Sequence, residues 1–182
     1  MNLFVTHTDP EICAQNLDDK RVGKLLMEAN QMLSLAIKVR LDSKHWEPFV
    51  GPGMLTAGLS HKNHPVSIWV RDSFGNFGWT LQHAMFLGRE FEHRFGKKHD
   101  SARRTSFIYD SGLSAFLFNV MSKDDPKTEE MTPFQNSARH GGLGIDFTHL
   151  PVPESYQAYL RNRWQGDARA PRWTNREVPE WV

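Results

Sequence analysis

Cysteine is nearly missing from this chain: Cys13 stands alone among 182 residues. An internal disulfide is therefore excluded, and so is a cysteine-based zinc site. Cys13 reads as a small core residue at the start of a helix. No apolar run approaches membrane-spanning length. The opening Met-Asn-Leu-Phe-Val-Thr-His has no basic leader followed by a long apolar stretch, so a cytoplasmic protein with no membrane partner is expected. An excess of one charge is missing too: 22 Lys and Arg face 21 Asp and Glu, for a net charge of +1. An anionic partner must then be held by a local patch, because the global charge does not attract one.

Familiar catalytic signatures are also lacking. There is no nucleophile elbow and no Ser-His-Asp order. The glycine-rich Arg139-His-Gly-Gly-Leu-Gly144 lacks the Gly-Lys-Ser/Thr of a phosphate loop and does not match the dinucleotide fingerprint. No cofactor is expected. An enzyme without metal or cysteine must use a lysine, an N-terminal amine or a carboxylate as its reactive group.

What is present reads as an all-α, compact single domain, residues 1–182, built on two long helices plus shorter helices and a docked C-terminal strap. Thr8-Asp9-Pro10 is helix-start chemistry, a side-chain acceptor followed by a proline that needs no N–H. The first long helix is expected from about Asp18 to Val39, with Val22, Leu25, Leu26, Ala29, Met32, Leu33 and Ala36 on its buried face. The second is expected as one seam through Val70, Phe74, Phe77, Leu81, Ala84, Gly88, Phe91 and Phe95, about seven turns long. Its Gly75, Gly78 and Gly88 suit close approach by another helix, and Gly96 suits its C-cap. Leu41–Leu59 reads as a loop from its Pro and Gly, Ser111–Val120 as a short helix, Ser122–Gly144 as a flexible region, and Pro153–Trp164 as a short helix. Arg169–Val182 is the C-terminal tail, alternating basic and aromatic residues.

Four groups of side chains can carry chemistry. Arg21, Lys24, Glu28 and Gln31 lie three or four residues apart, so they stack along one flank of the first helix. A carboxylate there can stabilise a developing cation or move a proton, and the cations can grip phosphates. His61, Asn63 and His64, with Trp69 and Arg71, form a His-Pro corner. His-x-x-His spacing suits a metal, but no third ligand is evident, so a capping corner beside a helix N-terminus is expected and no metal. Glu90, His93 and Arg94 read as a solvated face. Arg169, Arg172, Trp173, Arg176 and Trp181 read as a strap docked by its tryptophans, with base stacking as the functional alternative.

Several segments together carry a resemblance. They are Asn16-Leu-Asp-Asp-Lys-Arg-Val-Gly-Lys-Leu-Leu-Met-Glu-Ala-Asn-Gln-Met-Leu33, Asn63-His-Pro-x-x-x-Trp69, Glu90-Phe-Glu-His-Arg-Phe-Gly96 and Trp173-Thr-Asn-Arg-Glu-Val-Pro-Glu-Trp181. They resemble a family of small phage and bacterial proteins grouped loosely with pyrimidine-dimer DNA glycosylases. The resemblance implies an all-α domain acting on duplex DNA. It implies cleavage of the glycosidic bond of a damaged pyrimidine, then of the backbone, through an imine on the N-terminal amine, assisted by a glutamate and arginines of an early helix. Position 2 here is Asn2, which leaves Met1 in place. Lys24 stands near where the family's glutamate falls, and Glu28 one turn later.

The expectation that follows is an enzyme acting on a damaged or modified pyrimidine in DNA, with the base extruded, in the host cytoplasm if phage-encoded. Glu28, Lys24 and Met1 are the candidate catalytic residues, Glu28 as electrostatic stabiliser or acid–base group, and the Met1 amine or Lys24 as nucleophile. Burial beside Arg21 is expected to activate Lys24. Arg21, Asn63, His64, Trp69, Arg71, Arg172, Trp173 and Arg176 are the candidate DNA contacts, with Trp69 and the tail aromatics filling the gap in the stack. Two alternatives stand beside this: a phage enzyme that hypermodifies a thymine derivative in DNA, and a non-catalytic phage DNA- or protein-binding module.

Overall fold

A computed structural model describes residues 1–56 and 58–182. Its α-helices are α1 (Pro10–Gln15), α2 (Asp19–Arg40), α3 (Ser43–Trp46), α4 (Pro65–Asp72), α5 (Phe74–Phe95), α6 (Asp100–Asp110), α7 (Leu113–Asp124) and α8 (Val152–Gln165). Among the described residues the one sheet is an antiparallel pair, β1 (Arg139–His140) and β2 (Ile145–Asp146), with Arg139 opposite Asp146. The all-α architecture on two long helices expected from the sequence is the one observed.

Helix α1 starts where Asp9 accepts the N–H groups of Glu11 and Ile12, with Pro10 in its first turn. Helices α2 and α5 pack along each other and carry the core. Leu25, Leu26, Ala29, Met32 and Leu33 of α2 and Phe77, Ala84 and Leu87 of α5 are fully buried. Each such side chain contributes about 1.5–3 kcal/mol when taken from water, alanine excepted. Between Lys20 and Lys38, helix α2 leaves only a narrow stripe open. Lys20, Gly23, Lys24, Met27, Glu28 and Gln31 reach solvent, while Met32 through Lys38 are all buried.

The expected apolar seam is real but spans two helices. Ser73 interrupts it in extended conformation and caps α5, its Oγ accepting the N–H of Asn76 at 3.1 Å. The seam's period continues through the break, which is why spacing alone reads it as one helix. Gly88 lets α6 approach: a Cβ there would sit 3.2 Å from the Ala102 side chain. Gly75 serves a different neighbour, because a Cβ there would overlap the backbone of Glu129 and Glu130. The segment after α7 crosses there, with Thr128 accepting the N–H of Gly75 through its carbonyl and that of Phe74 through its Oγ1. Gly78 faces open space.

Other expectations need correction. Leu41–Leu59 is not merely a loop, since it carries α3 and a 3-10 turn at Glu47–Phe49; Ala57 within it lies outside the described residues. Helix α6 was not anticipated. Its start is capped by the ring of His99, whose Nδ1 accepts the N–H of Ser101 at 3.1 Å, and histidine is a weak cap signal in sequence. Of the Glu90, His93 and Arg94 face, Glu90 and Arg94 are buried, not solvated, while His93 is exposed as expected. Arg94 Nε donates to Glu90 at 2.6 Å, its Nη1 to Asp19 and to the Leu17 carbonyl, and its Nη2 to the Gln15 carbonyl. Arg176 closes on the same carboxylate at 3.0 and 2.7 Å. Burial alone would raise the pKa of Glu90, but the hydrogen bonds from Arg176 and Arg94 outweigh it and hold the carboxyl below its ordinary range.

Candidate active site at the N-terminal segment

The open stripe of α2 leads to Glu28, and the first residues of the chain fold over it. Leu3 and Val5 are buried, and Phe4, in the left-handed region at φ 46°, packs against Tyr156 and Tyr159. Asn2 shapes this turn: its Oδ1 accepts the N–H of Leu3 at 2.8 Å and of Phe4 at 3.1 Å. The N–H of Asn2 itself is thereby aimed at Glu28 and donates to Oε2 at 2.8 Å. Lys24 Nζ lies 3.7 Å from the other oxygen, Oε1. From the far side, Asn2 Nδ2 donates to the Ser137 carbonyl at 3.4 Å. The N–H of Ser137 donates to the Tyr156 hydroxyl at 3.0 Å, and that hydroxyl donates to Gln135. Burial pushes the Tyr156 phenol well above its ordinary range, so it stays a neutral hydrogen-bonding post.

The His-Pro corner meets the same place. Ser67 of α4 donates to the Met1 sulfur at 3.8 Å. His64 caps α4, its Nδ1 accepting the N–H of Val66 at 3.3 Å, which assigns the proton of the neutral ring to Nε2. Its pKa is lowered by burial first, then by the positive charges of the N-terminal amine and of His61, with Glu28 opposing. The structure thus brings Met1, Lys24, Glu28 and His64 together. Asn63, the residue before His64, is exposed. His61 and His64 rings are 6.5 Å apart edge to face, and among the described residues no three His, Cys, Asp or Glu side chains converge on a metal position.

Other candidates have different work. Arg21 is buried; its Nη1 bonds both oxygens of Asp18 and its Nη2 bonds Asp167 at 3.0 Å. It lies two turns before Glu28, about 10 Å along the axis, and ties α2 to the chain after α8. It is not free to grip phosphate. Lys24 is correspondingly not buried beside Arg21; its side chain is 57% exposed. Trp69 is a core residue, donating to the Thr132 carbonyl at 3.4 Å and packed on Trp79 and Phe134, so it cannot enter a base stack. Arg71 donates to the carbonyls of Lys62 and Ser67 and so braces the His-Pro corner. Trp173 is buried against Trp164 with its Nε1 on the Asn16 carbonyl, and Arg176 is consumed by Glu90. The strap reading of the tail is correct for both. Arg172 alone of these three points outward; only its carbonyl is engaged, accepting the N–H of Asp19 at 2.8 Å.

Sequence reasoning overlooked Asn2, Ser67, Ser137 and Tyr156. Asn2 carried a usable signal, because an asparagine side chain bonds the backbone N–H two residues on. The other three depend on long-range packing that no local pattern encodes.

A carboxylate fixed between an ammonium group and the first peptide of the chain, with a neutral N–H donor beside it, suits chemistry that develops positive charge and moves one proton. The family model described as pyrimidine dimer DNA glycosylase matches residues 1–104, which run from the N-terminal segment into α6 and include Glu28 and His64. No curated protein and no solved structure matches the chain.

Proposed function

The chain belongs to the pyrimidine dimer DNA glycosylase family, and from that premise we propose that it removes a damaged or modified pyrimidine from DNA and then opens the backbone. The observation that carries this reading is the 2.8 Å bond between Glu28 and the N–H of Asn2, which puts an anionic group against the start of the chain.

An amine at this centre, that of Met1 or of Lys24, attacks the sugar C1′. The glycosidic bond breaks with its electron pair going to the base, which takes up a proton and leaves. The sugar ring then opens to an imine, and elimination releases the 3′ phosphate. Glu28 stabilises the sugar cation and accepts the proton lost by the attacking amine. The Nε2–H of His64 and the amide of Asn63 orient the base or an adjacent phosphate. The base is extruded, since its sugar carbon cannot be reached inside the stack.

The test is incubation with duplexes carrying a cyclobutane pyrimidine dimer, uracil or hydroxymethyluracil, followed by borohydride. A trapped adduct, mapped by peptide mass spectrometry to residue 1 or to Lys24, is the expected result. An altered base on an intact strand, or binding with no product from any duplex, would contradict it.

A further inference from the structure

A groove of about 980 Å³ lies at the start of α2, lined by Lys20, Phe95, Ala168, Arg169, Ala170 and Arg172, with Asp18 and Asp19 at its base. Its charges do not balance. Both carboxylates are turned to other partners: Asp18 is engaged by Arg21 and by Trp164 Nε1, Asp19 by Arg94 and by the N–H and hydroxyl of Thr174. Lys20 pairs with Asp167, yet its side chain is 65% exposed. Arg169 and Arg172 are exposed, and among the described residues neither makes an ion pair. The buried network below is thus internally neutralised, and two unmatched guanidinium groups remain at the mouth. Phe95 walls the groove, and Lys97 and Lys98 follow it, exposed, in the chain. The depression between α5 and α6 also sets three cations, Arg89, Lys98 and Arg103, against two carboxylates, Glu92 and Asp100, but there Asp100 pairs with Arg103 at the surface and neither carboxylate is drawn into a buried network.

The groove is continuous with the candidate active site through the open stripe of α2, Lys20, Lys24 and Glu28 being successive i,i+4 positions. Eight helical residues separate Lys20 from Glu28, about 12 Å along the axis. That distance corresponds to about three or four nucleotides along one strand of B-DNA. We infer that this groove holds backbone phosphates of the DNA flank, three or four nucleotides from the base being processed, with Arg169 and Arg172 as the phosphate contacts and Lys20 and Lys24 as the cations that lead the strand to Glu28. The inference rests on the reading of the protein as DNA-acting, and it assigns a role to a segment lying beyond the 1–104 family match.

The test measures binding, not product. The affinity of the full-length protein for a lesion-bearing duplex is followed against salt for the wild type, for Arg169→Ala/Arg172→Ala, and for Arg169→Lys/Arg172→Lys. Each phosphate contact contributes about 0.9 to the slope of log affinity against log salt. The alanine pair is expected to lower the slope by about 2, and the lysine pair to keep it. An unchanged slope in the alanine variant would overturn the groove and leave the glycosylase reading standing. A lowered slope with no product from wild-type protein would keep the groove and sink the glycosylase reading. A wild type that binds no duplex would overturn both.

Discussion

The N–H of Asn2 donates to Oε2 of Glu28 at 2.8 Å across 26 residues of sequence. Glu28 is the carboxylate of α2 that reaches the N-terminal segment. Everything proposed about chemistry depends on that contact.

Asn2 holds this geometry through the two N–H groups its Oδ1 accepts, which keep Phe4 in a left-handed conformation. Asn2→Ala is expected to cost about 1–2 kcal/mol in urea unfolding and to lower the yield of borohydride adduct. Asn2→Asp keeps the acceptor but loses the Nδ2 donor to Ser137, and is expected to restore only part of both. Equal adduct yields from Asn2→Ala and wild type would remove Asn2 from the positioning of the site.

Glu90 is the anchor of the strap, receiving Arg94 and Arg176 together. Glu90→Ala leaves the fully buried Arg94 with Asp19 as its one ionic partner, and a loss of about 3–5 kcal/mol is expected. Because the folded pKa of Glu90 is depressed, its stabilisation is complete above its ordinary carboxylate pKa and is lost as pH falls below it. Limited proteolysis after Arg172 or Arg176 checks the strap separately: the variant should be cut faster than wild type.

His83 predicts a second, higher acid window. Burial between α5 and α1 lowers its pKa to about 4, against the carbonyl of Pro10 that its ring meets at 3.0 Å. The unfolded chain takes up this proton near pH 6.5 and the folded one not until about 4, so stability is full above 6.5 and falls by about 3 kcal/mol as pH drops through that interval. In His83→Gln the loss between pH 6.5 and 4.5 should shrink. A wild-type stability flat across that range would refute the assignment.

Gly75 is expected to tolerate no side chain. Gly75→Ala drives a Cβ into the backbone of Glu129 and Glu130 and should cost about 1–3 kcal/mol, whereas Gly78→Ala, facing open space, should not destabilise and serves as the control.

How far the sequence could be read follows from which interactions are local. The α2 seam, the Asp9-Pro10 start, the Gly96 cap and the Pro153–Trp164 helix are set by neighbours three or four residues away, and periodicity exposes them. The break at Ser73 escapes because the apolar period runs across it. The polar stripe of α2 divides for a related reason: Arg21 and Glu28 share a flank, but Arg21 is buried by Trp164 and Asp167 from the far end of the chain, and spacing within one helix does not report that. The same holds for Trp69, where an aromatic in polar surroundings proves to be core, and for Glu90 and Arg94, whose charges read as solvated until the strap covers them. The Asn2 turn that sets the N-terminal segment on Glu28 escapes for the same reason, since its partner lies 26 residues away.

The central claim is that Glu28 does chemistry at the start of the chain, and Glu28→Gln tests it most directly, because the amide can still accept the N–H of Asn2. Single-turnover release of the pyrimidine is expected to fall by about 10²–10⁴-fold, with duplex affinity and melting temperature held at wild-type values. Release at the wild-type rate by a folded, DNA-binding Glu28→Gln protein would contradict the account.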